Sequence, residues 1–106
     1  MWLLGKFPKM KITLFENTEY EKIIEVSRHS LAKGTRHMYM SDIGTWWIRK
    51  EKTMHWRAIL HRTDRISKYG TTLYDCSFKG LLGYIVCWEE EDKAKRKKDD
   101  RDNNNS

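Results

Sequence analysis

The sequence predicts an α+β fold: a mainly antiparallel sheet of four or five strands with one N-terminal helix packed on one face. Residues 18–33 show apolar side chains at helical spacing, and four later segments alternate with the period of two that strands require. The chain has 106 residues, the size of one domain, and 12% aromatic residues supply large side chains for a core.

The first strand and the helix are predicted within residues 11–33. Residues 11–17 alternate apolar and polar side chains and predict a strand. Thr18 and Glu21 then match a capping box, in which each side chain satisfies a free backbone N–H at the start of a helix. Gly34 suits the end of that helix. The apolar face of the predicted helix 18–33 comprises Tyr20, Ile23, Ile24, Ser27 and Leu31.

The remaining strands follow Gly34. They are predicted at 36–40, 45–50, 54–62 and 71–78, with turn signals at Ser41-Asp42, Lys52-Thr53 and Lys68-Tyr69-Gly70.

Residues 78–88 fit two structures. Phe78, Leu81, Leu82 and Ile85 have helical spacing, but Gly80 and Gly83 each cost a helix about 1 kcal/mol. The glycines favour the alternative, a buried strand from Leu81 to Trp88.

Three segments of the chain differ in composition. Residues 1–9 show no periodic pattern and are interpreted as an extension that precedes an alternative translation start at Met10. Residues 10–88 form the predicted basic α+β domain. Residues 89–106 are almost entirely charged or polar, which predicts a partly disordered tail that begins as a solvated helix.

The positive charge lies in the predicted domain rather than in the tail. The net charge of the chain is +6, yet residues 89–106 hold six basic and seven acidic residues. Residues 33–68 alone hold nine basic and three acidic residues. A structured basic surface is therefore expected, and such a surface favours anionic partners.

The stretch 44–62, GTWWIRKEKTMHWRAILHR, interleaves three tryptophans with five lysines and arginines. If its two strands form a hairpin, strict alternation separates an apolar face from a basic face. The apolar face, predicted to pack against helix 18–33, holds Trp46, Ile48, Met54, Trp56, Ala58 and Leu60. The candidate binding residues on and around the basic face are Trp47, Arg49, Lys50, Lys52, His55, Arg57, His61 and Arg62.

This composition predicts a small, non-catalytic regulatory protein that binds RNA or another single-stranded nucleic acid. Cations pair with phosphates, and an exposed tryptophan can stack on an unpaired base. The alternative is a protein that binds and inhibits or regulates a host enzyme, including one that acts on RNA, because Trp and Arg are also the side chains of interface hot spots. Small basic accessory proteins of phages and mobile elements have a similar profile.

Other classes of function have little support in the sequence. His55 and His61 are six strand residues apart, about 20 Å, which is too far for a shared proton-transfer site. No nucleotide-binding or hydrolase motif occurs, and the spacing of Cys76 and Cys87 does not match a zinc site, so neither a metal nor another cofactor is expected. Both cysteines are predicted to be buried thiols.

The absence of a targeting signal and of an apolar run of membrane-spanning length predicts a cytoplasmic protein without membrane contact. The oligomeric state is left open.

Overall fold

The computed structural model describes residues 8–32, 34–63 and 71–104, and the side chains of Leu31 and of residues after 95 are not described. Its elements are six strands and one helix: β1 (Lys9–Leu14), β2 (Lys22–Leu31), β3 (Gly34–Met40), β4 (Gly44–Lys52), β5 (His55–Arg62), β6 (Thr71–Asp75) and α1 (Phe78–Asn104). Each strand pairs antiparallel with the next, so the sheet order follows the chain order. The α+β class is confirmed, but the sheet has six strands and the helix is C-terminal.

The predicted helix 18–33 is wrong, because most of that segment is β2. The capping signal instead closes a tight turn, in which the Thr18 hydroxyl donates to the carbonyl of Phe15 and accepts from the amide of Tyr20. Beyond the turn, Ile24 and Val26 are buried while Ile23 is 64% exposed. The side chains of this segment are therefore buried alternately, as in a strand. The strand is favoured over a helix because β2 pairs with β1 on one side and with β3 on the other.

Residues 78–88 form the first half of α1, so the preferred strand is wrong and the helical alternative is correct. Ser77 caps the helix, because its hydroxyl oxygen accepts from the amide of Gly80 and its carbonyl accepts from the amide of Leu81. This cap and the burial of an apolar stripe offset the cost of the two glycines. The buried stripe consists of Leu81, Leu82, Ile85 and Val86.

The strands predicted at 36–40, 45–50, 54–62 and 71–78 correspond to β3, β4, β5 and β6, the last ending at Asp75. The turn predicted at Lys68-Tyr69-Gly70 lies outside the described residues. Met54 belongs to the β4–β5 turn, where its φ of 58° and its exposure remove it from the predicted apolar face. Four residues of that face are confirmed as buried core, namely Trp46, Ile48, Ala58 and Leu60, and Trp56 packs partly buried against them. The helix that packs on this face is α1 rather than an N-terminal helix.

The core lies between α1 and one face of the sheet. Trp46 is fully buried near its centre, and its ring meets Trp88 of α1 edge-on, with ring centroids 5.5 Å apart. The indole Nε1 of Trp46 donates to the carboxylate of Glu89 at 2.9 Å, and the Ser41 hydroxyl donates to the same oxygen. Glu89 is only 4% exposed. It is therefore a core residue, not the start of a solvated tail.

The described chain extends regular structure toward both ends. The sheet begins before Met10, because Lys9 pairs with Ser27 and the carbonyl of Pro8 accepts from the amide of Arg28. The rest of the predicted extension, residues 1–7, lies outside the described residues. The helical backbone of α1 continues to Asn104.

The two cysteines are exposed rather than buried. Cys76 lies in the link between β6 and α1, and Cys87 lies on the helix, on the surface that faces away from the core. Both are free thiols.

Substitution of Trp46 by alanine should lower the free energy of unfolding by about 3–5 kcal/mol, because it leaves a large cavity beneath α1. Denaturant titration measures the effect. Met40→Ala is the control: this side chain is 66% exposed on the opposite face of the same sheet, and its loss should cost no more than about 0.5 kcal/mol. Equal losses for the two variants would contradict the assignment of the faces.

Substitutions of Glu89 test its buried hydrogen bonds. Glu89→Ala should destabilise the fold by about 1–3 kcal/mol, because the donors of Trp46 and Ser41 lose their acceptor. Glu89→Gln should cost less, since the amide oxygen can still accept from both groups. Denaturant titrations of the two variants at pH 7 provide the comparison. An equal loss for both would show that the acceptor oxygen is unimportant.

Candidate functional site

The candidate site lies on the sheet face opposite α1, called here the open face. Among residues 8–32, 34–63 and 71–104, no helix or strand packs over this face. Burial of Trp46 directs Trp47 to it, because successive side chains of a strand point to opposite sides. The residues that the open face displays are therefore determined by the packing of the other face.

Three arginines form a row across the open face, called here the arginine row. Arg36 of β3 lies opposite Arg49 of β4, and Arg49 lies opposite Arg57 of β5. Like charges directly opposite each other destabilise a sheet. An anion bound at this row would relieve that repulsion.

A second row, called here the apolar row, runs beside the first. Met38 lies opposite Trp47, and Trp47 lies opposite Ile59. All three side chains are partly buried. The ring of His29 meets Trp47 edge-on, with centroids 5.6 Å apart. The indole is thereby supported on one side and still contributes to the surface.

The two rows border one cleft of about 220 Å³. Its lining residues are Arg36, Trp47, Ile48, Arg49, Arg57, Ile59 and His61. The cleft thus combines an indole ring with three guanidinium groups and an imidazole. That set of groups is suited to an anionic ligand that also carries a flat ring.

One carboxylate partly neutralises the arginine row. The Oε1 atom of Glu51 lies 2.6 Å from Nε of Arg57, as an ion pair without aligned hydrogen-bond geometry, and 3.8 Å from Nε of Arg49. Within the described part of the chain, no ion pair forms at Arg36. Three positive charges therefore face one negative charge, and the row keeps a positive excess.

The structure brings four of the eight predicted residues together. Trp47, Arg49, Arg57 and His61 line the same cleft. His55 lies farther along the open face, where its ring packs against Tyr74 at 5.3 Å. Lys52 lies opposite His55, next to an irregularity in the pairing of β4 with β5.

The other two predicted residues lie away from the open face. Lys50 lies opposite Trp56, on the side of the sheet that α1 covers. The guanidinium of Arg62 pairs with Asp92 of α1 at 3.0 Å, and its side chain is only 8% exposed. Arg62 therefore joins helix to sheet instead of lining the cleft.

Arg36 and Ile59 were not among the predicted binding residues, although both line the cleft. Alternation of residues 36–40 places Arg36 and Met38 on one face, but it does not identify the strand that lies beside them. The pairing of β3 with β4 supplies that information. Sequence reasoning confined to the β4–β5 hairpin therefore misses one end of the arginine row.

A second cleft, of about 350 Å³, lies at the ends of β3 and β4, and His37 and Trp56 contribute to its lining. The His37 ring packs against Phe78 at 4.5 Å, and its buried Nδ1 atom has no hydrogen-bond partner. Burial, followed by the charges of Arg28 and His29, lowers the pKa of His37. Its neutral form is therefore favoured in the folded protein.

Few other kinds of site occur in the described ranges. No three potential metal ligands among His, Cys, Asp and Glu come together there. No described helix has the length and apolar character to cross a bilayer. The chain matches no protein-family model, no curated protein and no solved structure. The case for a function therefore rests on the chemistry of the surface.

His37 should make stability depend on pH. Because its pKa is lower in the folded state than the usual value of about 6.5, its contribution is fully present above pH 6.5 and is lost as pH falls toward the folded-state pKa. Denaturant titrations across that interval should show less pH dependence for His37→Phe than for the unmodified chain. His55→Phe is the control and should retain the dependence due to His37. An unchanged pH profile for His37→Phe would contradict this effect.

Proposed function

We propose that this protein binds RNA or another single-stranded nucleic acid on the open face, as a non-catalytic regulatory protein. The observation that supports this proposal is the cleft in which Trp47 lies beside Arg36, Arg49 and Arg57. Guanidinium groups bind phosphate oxygens through paired, charge-assisted hydrogen bonds. An indole ring accepts any unpaired base by stacking.

The charge of the surroundings supports the same partner. The chain carries 21 lysines and arginines against 15 acidic residues. Lys9 and Lys11 of β1 share the open face with the arginine row, and Glu25, which forms an ion pair with Lys9 at 3.8 Å, offsets one of these two charges. A positive field of this extent accelerates the encounter with a polyanion and contributes affinity without sequence preference.

A second candidate function is the binding of a protein, such as an enzyme that the chain inhibits or regulates. Its support is the exposure of Met40, Tyr74 and Ile23 on the same sheet face. Exposed apolar side chains beside Trp and Arg are typical of protein interfaces. Accessory proteins of phages and mobile elements act in this way. Recovery of a partner from host extract after nuclease treatment would favour this candidate.

The salt dependence of RNA binding tests the first candidate. Each phosphate contact with a single strand adds about −0.7 to the slope of log affinity against log salt, so three arginine contacts predict a slope of about −2. Fluorescence anisotropy with a labelled, unstructured RNA of ten nucleotides measures it, and the RNA should remain intact on a denaturing gel. Arg28→Gln, on the face that α1 covers, is the control and should leave the slope unchanged. A slope near zero, or no binding at 50 mM salt, would refute the proposal.

A further inference from the structure

The open face has a direction, because its charged and apolar side chains are separated into parallel rows. The arginine row crosses β3, β4 and β5, and the apolar row crosses the same three strands two residues farther along. Neighbouring strands are about 4.8 Å apart, so each row is about 10 Å long. Two residues along a strand separate the rows by about 7 Å.

These dimensions match the layout of an unpaired nucleic-acid strand. Its phosphates lie along one side, and its bases project from the sugars to the other side. Even at the duplex spacing of about 3.4 Å per nucleotide, a row of 10 Å spans roughly three phosphates, and a stretched strand places fewer along it. The separation of the rows is comparable with that between a phosphate and its own base.

We infer that a single strand crosses β3, β4 and β5 at right angles, with its phosphates on the arginine row and its bases on the apolar row. This inference rests on the proposed function and specifies the ligand further. Stacking on Trp47 requires a base whose face is free. A duplex keeps its bases stacked on one another, so the site discriminates in favour of unpaired strands.

A path parallel to the β-strands fits the surface less well. A ligand that followed β4 would meet Thr45, Trp47, Arg49 and Glu51 in succession, so its backbone would run from an indole to a carboxylate. A ligand that followed β5 would meet Ile59 between Arg57 and His61. Only the crossing path keeps one kind of chemistry beneath the backbone and another beneath the bases.

The test uses the full chain and three matched ligands of ten nucleotides: single-stranded RNA, the same strand with its central bases removed, and the corresponding duplex. Trp47→Leu should weaken binding of the intact single strand roughly 5- to 150-fold and leave binding of the abasic strand unchanged. Trp47→Phe keeps an aromatic face and should lose much less. Thermal melts establish that the variants are folded, and Ile59→Gln in the same row replaces Trp47→Leu if the latter unfolds.

Substitutions in the arginine row should weaken both single strands, because phosphate contacts do not depend on the bases. Arg36→Gln should weaken binding of the intact and abasic strands by the same factor and reduce the magnitude of the salt slope by about 0.7 for each. Arg28→Gln, an exposed arginine on the other face, should change neither. The duplex should bind more weakly than the intact single strand at equal salt.

Three outcomes would overturn this inference. If the duplex binds as tightly as the single strand, or if Trp47→Leu weakens the intact and abasic strands equally, the crossing path is refuted while binding to nucleic acid stands. If none of the three ligands binds at 50 mM salt, the proposed function fails and the path fails with it.

Discussion

The hydrogen bond between Trp46 and Glu89 joins the centre of the sheet to α1, and the character of both sheet faces depends on the packing around it. It fixes Trp46 beneath the helix, together with the hydroxyl of Ser41. Trp47 is consequently directed outward. A slip of one residue in β4 would exchange the two faces and bring Arg49 into the core, where an unpaired guanidinium is prohibitively costly. Local pairing and long-range packing thus specify the same register.

The arginine row follows from this register, since the buried part of the covered face excludes unpaired charge. The side chain of Arg62, which is almost fully buried near α1, is paired with Asp92. The side chains of Arg49 and Arg57 are 43% and 31% exposed. Tyr39, which is buried on the covered face, is likewise kept uncharged. Burial, reinforced by the charge of Glu89, raises the pKa of its hydroxyl to about 12. Buried polar groups there are kept neutral or paired, whereas the open face keeps its cations near water.

Alternation in the sequence was sufficient to predict the strands after Gly34 and the two faces of the β4–β5 hairpin, because each face has a distinct composition. It failed in residues 18–33, where the apolar side chains fit both the period of a helix and that of a strand. Ile23 and Ile24 suit a helix as well as a strand, and only the partners on either side of β2 decide between them. Glu89 could not be recognised as a core residue, because it begins a run of charged residues and its partners Ser41 and Trp46 lie more than 40 residues away. The complete arginine row likewise required the pairing of β3 with β4.

Glu51 explains how the arginine row can persist in the free protein and still be available to a ligand. Its carboxylate holds Arg57 and approaches Arg49, which reduces the repulsion between guanidinium groups directly opposite each other. The side chains of Arg57 and Glu51 are 31% and 25% exposed, so water screens part of this ion pair and a phosphate can compete with the carboxylate. Within the described residues Arg36 forms no ion pair, so a phosphate can bind it without displacing a carboxylate. The row is therefore preorganised by one internal anion, with which an external anion can compete.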